Sequence, residues 1–319
     1  ADALFCGGDL FEHERVTPDT AELLRSVFSA LSPMRVFIAP GNHDWLGPQS
    51  LYAQLSWSPN VHIFQSTGLE PVELGEGITL WGAAHRSPAH TDGFLDAFRV
   101  DRGGLNIALF HGSERAWFTD QEKGKSAHAP FDAAQIPAAG LDFAFLGHFH
   151  KAKDTPYLSY PGNPEPLTFG ETGPRGVVIA TVEAGQPVSI ERRSVASTRV
   201  DDLNINLTGC AHRREVRDRI TSATKHLSSF ARVTLSGVLQ PDVDFQPSDI
   251  EVIVGPKVQI RLDGVSFAYN LEAIRHEQTI RGQFVQNVLE DSSLPDELRE
   301  RILVTGLRAL DGRTDLAVV

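Results

Sequence analysis

Short apolar runs punctuate the first half of the chain, and each is cut off by glycine or proline. Ala3–Cys6 runs into Gly7-Gly8, and Val36–Ile38 into Ala39-Pro40-Gly41. Ile107–Phe110 stops just before Gly112, and Phe143–Leu146 stops at Gly147. Runs of this length with such boundaries read as strands buried on both faces. Between the first two lies "TPDTAELLRSVFSAL", with Thr17 as N-cap and Pro18 at the first helical position. Its helical period puts Leu23, Leu24, Val27, Phe28 and Leu31 on one face. Further strands are expected in "NVHIF", "ITLWGAA", "YLSYPGNP", "RGVVIATV" and "PVSIERRSV". The later ones lack long helices between them, which predicts hairpins and a partly antiparallel sheet. The expectation is an α/β body of two sheets over residues 1–195.

The pattern changes after that. "DLNINLTG", "ARVTLSG" and "KVQIRLDG" read as strands, "AHRREVRDRITSATKHLSS" as a helix and "DVDFQPSD" as a loop, giving a small α+β unit over 196–268. Two helices are expected over 269–319. One is "EAIRHEQTIRGQFVQNVLED", with Ile280, Phe284 and Val288 at fourfold spacing, and the other is "PDELRERILVTGLRAL".

The four early runs share one more property: each opens into polar residues that bind metal or carry protons. The first delivers Asp9, the second Asn42, His43 and Asp44, the third His111, and the fourth His148 and His150. Turns favour Asn, Asp and Gly for backbone reasons alone, so one such loop says little. Four of them point to a shared site, because ligands of α/β proteins gather beyond the strand ends. Oxygen and imidazole donors without thiolate suit Mn²⁺, Fe or Zn²⁺ better than Ca²⁺. The two-residue spacing of His148 and His150 puts both rings on one side of an extended segment. They then face one metal ion, or two adjacent ones that clamp phosphoryl oxygens. His43, beside a ligand without having to be one, suits a general acid.

Bulk composition adds limits. The chain has 319 residues, 41% hydrophobic and 22% charged, with no apolar run long enough to cross a bilayer. Two cysteines, Cys6 and Cys210, build neither a disulfide framework nor a Cys-based zinc site, which fits a reducing, cytoplasmic setting. A net charge of −12 argues against general nucleic-acid binding, which needs Lys and Arg. The exception is "HRREVRDR", where Arg213, Arg214 and Arg217 make a basic patch on the expected helix.

"GGDLFE", "GNHDWL", "LFHG" and "GHFH", in this order, closely resemble the signature blocks of the calcineurin-like metallophosphoesterases. The resemblance implies a two-sheet αββα sandwich with a dinuclear metal site at the strand ends. Asp9 matches the aspartate that bridges the metals. Asn42, His111 and His148 match the other ligands of one metal, and His150 a ligand of the second. His43 matches the histidine that assists the leaving group. Within the family, "PFDAAQIPAAGLDFAFLGHFHKAK" and "YLSYPGNPEPLTFGE" resemble the nuclease subunit of the double-strand-break-repair (SbcD-type) complex. That branch implies a nuclease domain over 1–195, a capping domain over 196–268 and C-terminal helices. It also implies Mn²⁺-dependent exonuclease and endonuclease activity on DNA, dimerisation, and partnership with an SMC-like ATPase. The basic patch at Arg213, Arg214 and Arg217 then becomes a DNA contact.

Two departures qualify the expectation. Glu12 stands where the branch often has Asp. The family's first strand also ends in Asp-x-His, both ligands of the second metal, and no such triplet precedes Asp9. "AAHRSPAH" and "SAHAPFD" fall in the wrong place along the sheet to replace it. A natural segment ahead of Ala1 is therefore expected to supply it. This chain is expected to bind one metal well and the second weakly or not at all, and hydrolysis is expected to fail with the two-metal clamp. Two alternatives stay open: hydrolysis of a small phosphoester such as a nucleotide, and an inactive relic that binds a partner.

Overall fold

The computed structural model describes residues 1–88, 93–120, 127–227, 229–244, 250 and 257–313. They form two compact units, one of residues 1–165 and 175–196, the other of 166–174 and 197–319.

The first unit contains two main sheets. Strands β1 (Ala3–Cys6), β2 (Arg35–Ile38) and β3 (Val61–Ile63) pair in parallel, with Leu4 opposite Val36 and Val36 opposite Val61. The second sheet has the order β4-β5-β6-β7-β9-β8. Its members are β4 (Glu70–Gly75), β5 (Ile78–Gly82), β6 (Leu105–His111), β7 (Phe143–Gly147), β8 (Lys153–Thr155) and β9 (Leu158–Tyr160). Strands β5, β6, β7 and β9 run parallel, while β4 and β8 close the edges antiparallel. A separate antiparallel hairpin, β10 (Gly176–Thr181) and β11 (Ser189–Ser194), completes the unit. The short edge strands β4 and β8 carry no continuous apolar run, and pairing with a buried neighbour is what makes them strands.

Burial on both faces explains the unbroken apolar runs. In β6, Ile107 and Leu109 pack toward the first sheet with Phe37, Phe64 and Phe145, while Ala108 and Phe110 pack on the other face with Phe131 and Leu146. This is the period of two along a strand, apolar on both sides. No strand pairing joins the two sheets among the described residues. Their seam is held by side chains such as Phe5, whose ring meets Phe37 at 5.7 Å and Phe145 at 5.6 Å, edge-on. Each fully buried Phe, Ile or Leu contributes about 1.5–3 kcal/mol, so the seam outweighs any surface contact there.

Helix α1 (Pro18–Ala30) covers the outer face of the first sheet, with the Thr17 hydroxyl accepting from the Thr20 N–H. Its buried stripe is narrower than the period predicts. Leu24, Phe28 and Leu31 pack inward, whereas Leu23 and Val27 are exposed at 61% and 47%. A three-stranded sheet presents too narrow a face to cover all five. On the same face lies the short helix α2 (Leu51–Gln54), whose Tyr52 packs with Phe11 and Phe28, whereas α3 (Gln135–Ala138) packs on the far face of the second sheet with Phe131 and Leu146.

The second unit is built on three parallel strands, β12 (Val200–Asn206), β13 (Phe230–Leu239) and β14 (Val258–Phe267), with helix α4 (Arg213–Thr224) in the first crossover. Val216 and Ile220 of α4 meet Val233 and Leu235 in its core. The expected loop "DVDFQPSD" falls largely outside the described residues. The expected long helix near 272–291 is two helices: α5 (Leu271–Ile274) and α6 (Ile280–Glu290), the latter capped by the Thr279 hydroxyl. Phe284 and Val288 pack against Leu303 and Leu307, but Ile280, just past the cap, is 80% exposed. Helix α7 (Asp296–Leu310) starts after Pro295, as the sequence indicates. Its Arg308 is fully buried, donates to the carbonyls of Pro241 and Val243, and lies 3.6 Å from the Phe267 ring centre. The same unit thus contains both the α+β strands and the C-terminal helices.

Candidate metal centre

Parallel pairing brings the carboxyl ends of β1, β2, β6 and β7 to one edge of the first unit, and small residues let them touch. A side chain at Gly41 would overlap Asp9 Oδ1 and His111 Nδ1, and one at Gly147 would overlap the Gly7 carbonyl. Two chemically active residues stand in left-handed backbone: Asp9 at φ 56° and His148 at φ 113°. Asp tolerates that region, but a histidine at 113° is strained by roughly 1–3 kcal/mol and persists only where surrounding contacts impose it.

Asp9, His111 and His148 each offer a ligand atom, all within 4.8 Å of one another. His111 is buried at the centre. Its Nδ1 lies 2.8 Å from the Gly7 carbonyl, an acceptor, so Nδ1 carries a proton and donates it. Its Nε2 then faces Asn42 Oδ1 at 3.0 Å, Asp9 Oδ2 at 3.2 Å and His148 Nδ1 at 3.2 Å. The lone pairs of His111, Asn42 and Asp9 turned on one another are costly without a positive charge between them. A histidine whose other ring nitrogen is bound to a backbone carbonyl is the usual arrangement of a metal ligand. The donor set therefore fits a divalent transition metal, held by Asp9, Asn42, His111 and His148.

Burial works against ionising either Asp9 or His111, but their mutual attraction wins. It holds the Asp9 carboxyl well below its ordinary range and raises His111. Burial first, then repulsion from His111, pushes His148 down to about 2, so its imidazole is neutral and its lone pair is available.

His43 stays outside this group. Its N–H donates to Asp9 Oδ1 at 2.9 Å, and its half-exposed ring has Nδ1 3.0 Å from Glu12 Oε2. Glu12, which the sequence left without a role, is thus the partner that orients His43. His150 is exposed and lies outside the three-residue group. Its carbonyl accepts from the Arg175 side chain and the Asn163 N–H. Nearby, the Tyr160 hydroxyl donates to the Gly112 carbonyl at 2.6 Å, fastening the loop after His111. Arg213, Arg214 and Arg217 are exposed on α4 of the second unit, where Arg214 pairs with Asp218 at 3.7 Å.

Three residues stand at the site without a role assigned to them from the sequence. Asp44 is fully buried and accepts four hydrogen bonds, from the N–H groups of Asp9, Leu10 and Gly41 and from the Tyr52 hydroxyl. It fastens the β1 loop to the β2 loop. Burial and the Asp9 charge push its carboxyl up, against those bonds. His85 and His128 sit in "AAHRSPAH" and "SAHAPFD", the two segments not taken as replacements for Asp-x-His. The structure brings both rings beside the site: His85 lies 5.5 Å from His111 and 6.0 Å from His128, and His128 lies 5.6 Å from His148. The reason is sheet order. Strand β5 is the neighbour of β6, so residue 85, just past β5, stands beside the end of β6. His128 is drawn in by backbone bonding between Ser113 and both His128 and Phe131. The signal available in the sequence was Gly82-Ala83-Ala84-His85, another apolar run ending in a histidine.

No helix among the described residues is long and apolar enough to cross a membrane. The chain is similar to an uncharacterized metallophosphoesterase, YhaO, of Bacillus subtilis (strain 168), at 27% identity over 195 residues. The alignment takes in 58% of this chain and 46% of that protein, so the chain spans about half the length of this curated relative. Residues 1–152, which carry the whole acceptor cluster, match the family profile described as Calcineurin-like phosphoesterase.

Proposed function

We propose that the chain is a phosphodiesterase of the DNA-repair nuclease type, cleaving DNA phosphodiester bonds with Mn²⁺. The observation that carries the hydrolytic reading is the convergence of Asp9, Asn42, His111 and His148 on one point, with His43 turned outward beside it. Support for the nuclease branch comes from "PFDAAQIPAAGLDFAFLGHFHKAK" and "YLSYPGNPEPLTFGE". In this reading Asp9 and His150 would help to hold a second ion. A divalent ion at such a site supplies positive charge for phosphoryl oxygens and lowers the pKa of bound water.

The chain's own residues do the rest. The Gly7 carbonyl keeps His111 Nδ1 protonated and its Nε2 free to act as a donor atom. The His43 N–H on Asp9 Oδ1 fixes the carboxylate, so its second oxygen faces His111. Glu12 Oε2, 3.0 Å from His43 Nδ1, orients the half-exposed ring. As a general acid the ring would give a proton to the departing oxygen while water attacks phosphorus and the P–O bond breaks. A DNA contact by Arg213, Arg214 and Arg217, a homodimer and an SMC-like ATPase partner complete the proposal.

A second reading, hydrolysis of a small phosphoester, is favoured by the net charge of −12 and by the acidic residues Glu215 and Asp218 interleaved in the basic helix. A single assay separates the readings. Duplex DNA and a nitrophenyl phosphoester are each incubated with the chain and Mn²⁺, with EDTA as control. The nuclease reading expects metal-dependent cleavage of DNA. Cleavage of the small ester alone selects the second reading, and no turnover of either selects a relic that only binds a partner.

A further inference from the structure

His85 makes contacts that no hydrolytic role requires. It is 4% exposed and sits three residues past β5, between the two loops that carry Asn42 and His111. Its backbone N–H donates to the Pro40 carbonyl at 2.9 Å, and its carbonyl accepts from the Leu46 N–H at 2.8 Å. One residue therefore pins both ends of the Gly41–Trp45 loop, which carries Asn42, His43 and Asp44. Its side chain reaches the other way: Nε2 lies 2.9 Å from the His111 carbonyl. A carbonyl only accepts, so Nε2 carries the proton, and Nδ1 is left buried without a hydrogen-bond partner. Leaving a buried imidazole nitrogen unpaired is costly, and the ring is not there merely to fill space. An apolar side chain could occupy the same buried position, near Phe94, Phe110 and Ala129, without that cost.

We infer that His85 is a positioning residue for the metal centre, setting the separation of Asn42 and His111 through its three hydrogen bonds. The backbone bonds fix the Asn42 loop to the end of β5. The side-chain bond fixes the main chain of His111 to the same point. Because β5 is the sheet neighbour of β6, the distance between the two ligands then follows from the sheet itself. This rests on the metal-dependent reading given above. His85 touches neither substrate nor ion in it and acts only through His111 and the Asn42 loop.

The test is the affinity of the chain for Mn²⁺ alone, by titration calorimetry, alongside turnover of a nitrophenyl phosphoester. His85→Phe keeps a ring and the backbone bonds but loses the donor. It is expected to weaken Mn²⁺ binding 10–100-fold, the range for lost outer partners of metal ligands. His85→Gln, whose amide can donate to the same carbonyl, is expected to recover to within about threefold of the parent. A purely structural residue would show both variants shifted in melting temperature without this contrast. Parent-like Mn²⁺ affinity in His85→Phe overturns the inference, and so does an equal loss in His85→Gln. Should His85→Phe not fold, His85→Asn, too short to reach the carbonyl, reads the same contrast. A parent chain that binds Mn²⁺ but hydrolyses nothing refutes the hydrolytic reading while leaving the affinity contrast intact.

Discussion

The two units are built on the same principle and end differently. Each has a parallel sheet with a helical crossover and a core of residues alternating along the strands. In the first, the strand ends deliver Asp9, Asn42, His111 and His148 to one point, with strained backbone at His148. In the second, β12 ends in a turn closed by Asn206 Oδ1 on the Thr208 N–H, and β14 ends at Phe267 under the buried Arg308. Among the described residues, its strand ends bring no such acceptor cluster together. Sheet architecture therefore creates a crevice but does not create a site. The residues placed just beyond the strands do, at a cost in strain and unpaired acceptors that an ordinary core avoids.

If that contrast is right, damage to the first unit should abolish chemistry, and damage to the second should alter only recognition. The largest effect is expected from His43→Ala, with a loss of roughly two to four orders of magnitude in rate and unchanged Mn²⁺ affinity. His148→Ala should instead lose Mn²⁺ affinity itself. Calorimetry beside single-turnover kinetics tells the two apart, and undiminished turnover in the His43 variant would remove it from the mechanism. Next in size is Asp44→Asn. An amide keeps one acceptor oxygen and turns a donor toward N–H groups that already donate. About 3 kcal/mol of stability should be lost in urea unfolding, with Mn²⁺ affinity falling in parallel. A variant as stable as the parent would mean that the two loops are held together by something else.

A pH prediction follows from His85, which burial first and the His111 charge second push down to about 4. The unfolded chain takes up a proton there below about 6.5, whereas the folded chain does not until near 4. More protons bound to the unfolded state means that stability falls as pH falls, so the contribution is complete above 6.5 and lost toward 4. The gap between those values caps it at about 3 kcal/mol. Urea midpoints of the EDTA-treated chain at pH 7 and pH 5 should show the decline, and His85→Gln should make it shallower. An equal decline in both would move the effect to other groups.

The smallest effect is expected in the second unit. Reversing Arg213, Arg214 and Arg217 to Glu should leave hydrolysis of a nitrophenyl phosphoester untouched. DNA affinity should weaken, and the slope of log K against log salt should fall by up to about three. Retention of both affinity and slope would make α4 a solvated face and favour the small-substrate reading.

Most of the first unit was legible because its information is local. Apolar runs ending in Gly or Pro marked β1, β2, β6 and β7, and the polar residues beyond them marked Asp9, Asn42, His111 and His148. Thr17-Pro18 marked the start of α1 for the same reason: a cap depends on a few neighbouring residues. Periodicity alone overstated the buried face of α1 and joined α5 to α6, because how much of a face is covered depends on its partner.

What the sequence by itself determined is the inventory: which strands are buried on both faces, and which metal-binding side chains follow them. Only the tertiary structure decided their use. It joined Glu12 to His43 across 31 residues, Asp44 to Asp9 across 35, and His85 to His111 across 26. Those pairings depend on which strand lies beside which, and strand order is settled by the packing of two sheets against each other. No local pattern in the chain records it.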